Sequence, residues 1–473
     1  MKYFVFVNLV LGLLMGQGFA HDGDHPLHHW EVATPDPDRI FLCFNGDPAT
    51  SRAVSWRTDS SIKVAYAEIA EATESASFAQ FGSRGKATTQ SLNLKRFTGN
   101  TQQPVHYHSA VFRGLKPETT YVYRVGDGEE HWSEWIQFRT ASKKNKAFSF
   151  TYYGDAQNEI LKYWSRLIRQ SYQTAPHASF AIHAGDLVNH AHADVEWAEW
   201  FKAGSFIHSQ WTGVPVTGNH EYTDLPGSEP GKTVSMQWRP QFALPVVKSL
   251  PKLLHETVYS FGYQGMQVVV LNSSHSIKAQ TPYLEQELQK PGFRWRCVVY
   301  HHSLFSPVGR NTDEHKLMMA QWVPLFEKYN VDMVLQGHDH SYVRSKMPVR
   351  HSEAADGQVQ TVYVTSVSGP KQYPIDPMQL NSHAQNQGPV TSRVGEHTQL
   401  FHVIDVDGNT LTFKAYTATG KLYDAMTLTK NFETGTKTLK EQVPNLPARM
   451  FSNTEPYTFV KEREAIEAKL NAE

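Results

Sequence analysis

Cysteine is nearly absent: Cys43 and Cys297 are the only two in a chain of 473 residues. That excludes a disulfide scaffold and any tetrathiolate zinc or iron–sulfur site. An excess of charge of either sign is missing too. There are 45 basic and 46 acidic residues, and the formal net charge is −1 with histidine neutral. A general nucleic-acid binder would carry a basic excess, and a disordered chain a strong net charge, so neither class fits. No stretch approaches the 18 consecutive apolar residues of a membrane-spanning helix. Neither a Gly-x-Ser-x-Gly elbow nor a His-Glu-x-x-His helix occurs, which removes two common hydrolase chemistries. There is no internal repeat.

Apolar residues make up 40% of the chain and aromatics 12%, enough for large cores. At roughly 150 residues per domain the length allows two or three domains. Histidine is abundant, with 24 residues against two cysteines, so metal chemistry would use imidazole and carboxylate ligands. Protonation of these histidines would make the chain strongly cationic in acid, which draws in anionic substrates.

Residues 1–20 read as a secretory signal: Lys2, a short apolar run from Tyr3 to Met15, and small residues at Gly18 and Ala20. The expectation is a secreted or periplasmic protein cleaved near Ala20. The following segment, His21 to His29, reads as a solvated tail. Residues 36–141 alternate in short strands, such as Ala53–Arg57 and Tyr107–Phe112, separated by turns. This pattern predicts a β-sandwich. Leu115-Lys116-Pro117-Glu118-Thr119-Thr120-Tyr121 resembles the corner of a fibronectin-III-like domain.

From 147 to 430 buried-type strands alternate with helices, at Glu159–Gln173, Asp194–Phe206, Thr281–Lys290 and Glu314–Lys328. This predicts a layered α/β domain. Residues 372–398 are polar and turn-rich, and read as a lid or binding loop. Residues 431–473 read as a C-terminal extension, with a charged helix or tail from Tyr457. Gly227 to Thr233 superficially suggests a phosphate-binding loop, but its glycines are one residue too close and no strand precedes it. Cys43 and Cys297 fall in different domains and read as buried thiols.

The chemistry-bearing residues fall just beyond successive strands. Phe150–Tyr153 leads to Asp155 and Gln157, Phe180–Ala184 to Asp186, Val214–Thr217 to Asn219 and His220, Val298–Tyr300 to His301 and His302, and Met333–Gln336 to His338 and His340. In α/β sheets ligands bind off the carboxyl ends of strands. A glycine precedes Asp155, Asp186, Asn219 and His338, and suggests sharp turns that aim those side chains. Two Asp, one Asn and three His suit two neighbouring divalent or trivalent ions, one carboxylate bridging, with Fe, Mn, Zn or Mg favoured over copper(I). Such a pair suits in-line displacement at phosphorus.

Gly185-Asp186, Gly218-Asn219-His220-Glu221, His301 and Gly337-His338-Asp339-His340 together resemble the signature of calcineurin-type metallophosphoesterases. The run His338 to Tyr342 and the N-terminal sandwich resemble the purple-acid-phosphatase-like branch. The resemblance spans about residues 36–430. It implies a fold of two mixed sheets packed face to face, flanked by helices in four layers. It implies a metal held by Asp155, Asp186 and His340, and a second held by Asn219, His301 and His338, with Asp186 bridging. It implies phosphate monoester hydrolysis by metal-bound hydroxide, with His220 as general acid, on a small phosphorylated substrate. His315 is a further catalytic candidate, and His302 and Arg310 are candidates for substrate contact.

Two positions depart from the family. The purple enzymes place an iron-binding Tyr where this chain has Asn189, and other branches place a His where it has Gln157. Gln157 could ligate through its amide oxygen or hold a water, and Asn189 is treated alike. The change bears on metal identity and colour. A phosphodiesterase or nucleotide pyrophosphatase would use the same site, and the loops 222–256 and 372–398 would decide between them. A binding protein with a degenerate site is the reading from another class; the six intact ligand positions and His220 weigh against it. Oligomeric state is left open by the sequence.

Overall fold

The computed structural model describes residues 28, 30–94, 104–223, 233–310, 312–349 and 355–448. The signal segment, nearly all of the segment 21–29, residues 227–232 and the C-terminal helix or tail lie outside the described residues.

The N-terminal unit is a sandwich of antiparallel strands. One face holds Asp38–Cys43, Ser51–Asp59, Val105–Arg113 and Thr88–Leu92. The other holds Ser83–Lys86, Tyr66–Glu71, Thr120–Gly126 and Ile136–Arg139. Alternation drives the packing: Val54, Trp56, Ala67, Tyr123, Val125 and Phe138 point inward and form one core. The corner expected at Leu115 to Tyr121 is present, with the Tyr121 hydroxyl accepting a hydrogen bond from Lys116 N at 2.9 Å.

The second unit is built on two mixed sheet layers, joined through strand Lys437–Glu441. In the first, Phe148–Tyr153, Phe180–His183 and Thr212–Pro215 run parallel. Leu400–Asp407 lies antiparallel to Phe148–Tyr153 and continues into Thr410–Thr417 and Leu422–Lys430. In the second, Met266–Val270, Trp295–Val299, Met333–Gln336 and Gln358–Thr365 run parallel, with Tyr259–Tyr263 and Tyr342–Pro348 antiparallel at the sides. Strands covered on both faces need apolar residues at every position. Met266–Val270 obeys this except at Gln267, whose buried amide donates to Glu287 O at 2.7 Å: Val268 and Val270 face the first sheet's core, while Val269 packs with Leu284, Leu288, Met318 and Trp322 of the outer helices Ile277–Gln289 and Asp313–Lys328.

Several boundaries differ from the sequence reading. The helix expected over Asp194–Phe206 stops at Gly204, because Ser205 adopts φ 44°, and a short helix Phe206–Gln210 follows. The helix expected from Thr281 begins at Ile277 and carries Pro282 inside it. The stretch 372–398 is not a structureless loop: it forms helix Pro377–Gln385 and strand Val390–Gly395, the latter paired with Tyr342–Pro348. Strand Lys437–Glu441, in the stretch read as an extension, pairs with Leu422–Lys430 and with Gln358–Thr365. The two units also share a sheet, since Cys43 pairs in parallel with Gly213. Both cysteines are free and buried, and burial pushes the Cys43 thiol up to about 12.

Candidate metal centre

Five parallel strands from the two sheets end at one edge, and the turns beyond them bring the acidic, amide and imidazole side chains together. Asp186, His301 and His338 form one cluster, and Asp155, Asp186 and His340 a second that shares Asp186. All five are buried. Asn219 joins the first cluster, its Oδ1 3.2 Å from His301 Nε2.

The glycines act differently from the sequence expectation. Of the four, only Gly185 has positive φ, at 91°. The others provide space: a Cβ on Gly218 would stand 2.1 Å from Asp186 Oδ1, and one on Gly337 2.2 Å from Asp155 Oδ1. The left-handed conformations fall instead on ligand positions, Asp186 (φ 50°), His338 (75°) and His340 (45°). Non-glycine residues in that region are strained, and such strain gathers where function requires a fixed side chain.

Glu221 supports the Asp186 turn, a role sequence reasoning did not assign. Its Oε2 accepts from Asp186 N at 2.9 Å and Gly218 N at 2.7 Å, and its Oε1 from Leu187 N at 2.8 Å. Burial and the nearby Asp186 charge push its carboxyl up to about 8, against these donors. Its place three residues after Gly218 was the available signal.

Hydrogen bonds to carbonyls set the histidine tautomers. A carbonyl only accepts, so His301 Nδ1–H donates to Ala184 O at 2.9 Å, and His340 Nδ1–H to Lys371 O at 3.0 Å. In the neutral ring the Nε2 lone pair then points inward. His301 Nε2 lies 3.1 Å from Asp186 Oδ2, and His340 Nε2 lies 3.1 Å from Asp155 Oδ2. Acceptor facing acceptor at this distance requires a proton or a cation between them. Ligand atoms about 2.1 Å from one ion stand about 3 Å apart, so the donor set fits metal ions. The same demand for positive charge shows in His301. Burial would lower it, yet the Asp186 and Asp155 carboxylates raise it to about 9.

His220 donates Nδ1–H to Asn189 O at 2.6 Å, and its Nε2 stands 4.0 Å from Asp186 Oδ2. Its side chain is 28% exposed, at the mouth of the site. Asn189 therefore acts through its backbone, while its side-chain amide lies 3.2 Å from the His190 ring. Gln157 is buried with Nε2 3.1 Å from His340 Nε2, beside the second cluster. Tyr152 and Tyr153 turn away into the core, their hydroxyls on Gln336 O and Ser171 Oγ.

His302 packs its ring 4.2 Å from that of His338 and bonds Ser273 Oγ at 2.8 Å. His315 is 3% exposed, with Nδ1 on Thr312 Oγ1 at 2.9 Å and its ring 6.1 Å from that of His302. The capping Thr312 thus holds its Nδ1, while its buried Nε2 has no hydrogen-bond partner among the described residues. Arg310 Nη1 lies 2.8 Å from His338 Nε2. Lys371 and Tyr373 were not read from the sequence. Both lie at the His340 edge, the Tyr373 ring 4.7 Å from the His340 ring and under Lys371 Nζ at 5.4 Å.

Two packed mixed sheets with paired ligand clusters off their carboxyl ends define a calcineurin-type metallophosphoesterase. Comparison with known proteins agrees. Residues 37–140 match the family model "Purple acid Phosphatase, N-terminal domain", and residues 149–342 match "Calcineurin-like phosphoesterase", together more than half of the chain. An uncharacterized protein of Mycobacterium tuberculosis is 27% identical over 68% of this chain and 64% of its own length. The purple acid phosphatase of Glycine max is 26% identical over 50% of this chain and 53% of its own. The Fe(3+)-Zn(2+) purple acid phosphatase 12 of Arabidopsis thaliana is 26% identical over 55% and 56%. The chain thus spans less than two thirds of the length of these relatives. A purple acid phosphatase from seeds of yellow lupin, Lupinus luteus, has the same fold, with a TM-score of 0.67 at 17% identity over 85% of this chain and 76% of that one. The chain belongs to the purple-acid-phosphatase-like branch of the metallophosphoesterases.

Proposed function

We propose that this chain hydrolyses phosphate monoesters at a dinuclear metal centre, and does so outside the cytoplasm. The observation that carries the reading is the pair of clusters sharing Asp186, in which imidazole lone pairs face carboxylate oxygens at 3.1 Å. Asp155, Asp186 and His340 would hold one ion, with Gln157 beside it. Asp186, Asn219, His301 and His338 would hold the other. The ions would supply Lewis acidity toward a phosphoryl oxygen and an activated water, chemistry open to Fe, Mn or Zn.

The chain's own residues do the rest. Glu221 fixes the turn that aims Asp186 at both positions. Asn189 O holds His220 with Nε2 toward the mouth, where a proton on that nitrogen can pass to the departing ester oxygen. A positioned acid of this kind contributes roughly 10²–10⁴-fold for an alkoxide leaving group. The N-terminal segment of residues 1–20, with its signal-like pattern, supports export.

The test is elemental analysis of the purified protein with assays on an aryl phosphate monoester and a diester, before and after chelation. Two metals per chain, with monoester turnover lost on chelation and restored by metal, is the expected result. A metal-free protein that hydrolyses the monoester, or a metal-loaded one that does not, overturns the reading.

A further inference from the structure

Asp339 stands between two ligand positions, yet its side chain is directed elsewhere. It is completely buried, and its Oδ1 lies 3.1 Å from Arg310 Nε. A carboxylate withdrawn from water persists when a cation is fixed beside it. Arg310 is not buried to the same degree: its side chain is 28% exposed, and its guanidinium carbon stands 5.7 Å from the Tyr373 ring. Its backbone is tied down as well, with Arg310 N on Ser306 Oγ at 3.2 Å. The guanidinium is thus paired with Asp339 by charge, without a hydrogen bond, at its Nε end and reaches the edge of the ligand cluster with its Nη end.

The Nη end meets His338. Nη1 lies 2.8 Å from His338 Nε2, while His338 Nδ1, across the ring, lies 3.2 Å from His301 Nε2. Arginine is always a donor, so His338 Nε2 accepts in this arrangement. Coordination of an ion through Nδ1 would place the ring proton on Nε2, and the two donors would then oppose each other. The anchor at Asp339 would remain, and Nη1 would be left to an anionic partner at the mouth.

We propose that Asp339 is a positioning residue that holds Arg310 as a charge reader, and that this pair makes the site selective for doubly charged phosphate monoesters over singly charged diesters. The inference rests on the phosphoesterase reading above and names its substrate class. A monoester carries about −1.5 to −2 at neutral pH, and a diester a single negative charge. A fixed fork beside the ions gains most from the additional charge, and guanidinium matches phosphate oxygens two at a time.

The experiment compares wild type, Arg310→Ala, Asp339→Asn, Asp339→Ala and the double alanine variant. It measures kcat/KM for 4-nitrophenyl phosphate and bis(4-nitrophenyl) phosphate, inorganic phosphate binding by calorimetry, and metal content. Arg310→Ala is expected to lower monoester kcat/KM and phosphate affinity about 10- to 100-fold, and diester kcat/KM less than about 5-fold, with both metals retained. Asp339→Ala should reproduce most of this through KM and add little in the Arg310→Ala background. Asp339→Asn, which keeps the side chain's shape but removes its charge, should lose nearly as much. Equal losses on the two esters, or additive effects in the double variant, overturn the proposal. If Asp339→Ala does not fold, Arg310→Ala and Asp339→Asn still decide it. If wild type turns over neither ester, the phosphoesterase reading falls, and unchanged phosphate affinity in Arg310→Ala then overturns this inference separately.

Discussion

Asp186 meets several demands at once. It belongs to both ligand clusters, sits at φ 50°, and accepts from His220 N at 2.9 Å through the oxygen that faces Gly218. Its removal would leave two ions underligated and close together. Asp186→Ala is therefore expected to abolish turnover and empty both sites, whereas Asn219→Ala depletes one; metal-to-protein ratios distinguish the two. His220→Ala should keep both metals and slow alkyl phosphates far more than activated aryl phosphates, because the proton matters most for the poorer leaving group. Equal loss across leaving groups in a linear free-energy series would assign His220 to phosphate binding alone. Colour is decided at this scale too. Charge transfer to ferric iron needs a phenolate on the metal, and Asn189 has turned its neutral side chain to His190 while Tyr152 and Tyr153 are held in the core. The oxidised, metal-replete protein is expected to lack a strong visible band, and an absorption spectrum read beside iron content checks this.

The elements that matter are the tight connections after the strands. Gly218 and Gly337 are there because a neighbouring carboxylate occupies the place of a Cβ. Gly218→Ala and Gly337→Ala are expected to displace Asp186 and Asp155 respectively. Metal content should fall sharply in each, and the far-ultraviolet dichroism, which reports sheets and helices, should change little. Retention of both metals would show that the turns can relax around the added methyl. The sequence shows such glycines as a motif, and the choice between conformational freedom and lack of space needs the neighbour that approaches, which lies 32 residues away for Gly218 and 182 for Gly337. The same holds for helix Pro377–Gln385 and strand Val390–Gly395. Their polar surfaces read as loop, and the strand forms because Tyr342–Pro348 offers it an edge.

At the scale of the whole molecule, the sandwich and the catalytic unit are joined by more than a linker. Cys43 pairs with Gly213, and Asp194 of the catalytic unit accepts from Arg39 at 2.7 Å and lies 3.4 Å from Arg57, both buried on sandwich strands. The cores also hold neutral histidines. His208 stacks on Trp200 with ring centroids 4.0 Å apart, and His402 lies between Tyr152 and Phe413. Burial pushes each down to about 3 from an ordinary 6.5. Between those values the unfolded chain binds protons that the folded chain does not. The contribution of each of these two histidines is therefore full above about pH 6.5 and falls as the pH drops toward 3, by roughly 2 kcal/mol at pH 5. Calorimetry should show a lower Tm at pH 5 than at pH 7, and a shallower dependence in His208→Gln. A Tm unchanged over that interval would contradict the linkage.

By itself the sequence determined the two-unit plan, the candidate ligand residue types and the strand ends that carry them, because hydrophobic period and short motifs are local properties of the chain. The tertiary structure alone decided how those residues act. Tautomers follow from distant carbonyls such as Ala184 O and Lys371 O. The turn at Asp186 is held by Glu221, 35 residues on. Lys371 and Tyr373 reach the site only because the segment after Gln358–Thr365 folds back over His340, with Tyr373 N on His340 O at 2.9 Å. Each of these is a contact between segments far apart in the chain, and no local pattern encodes which carbonyl or ring will arrive there.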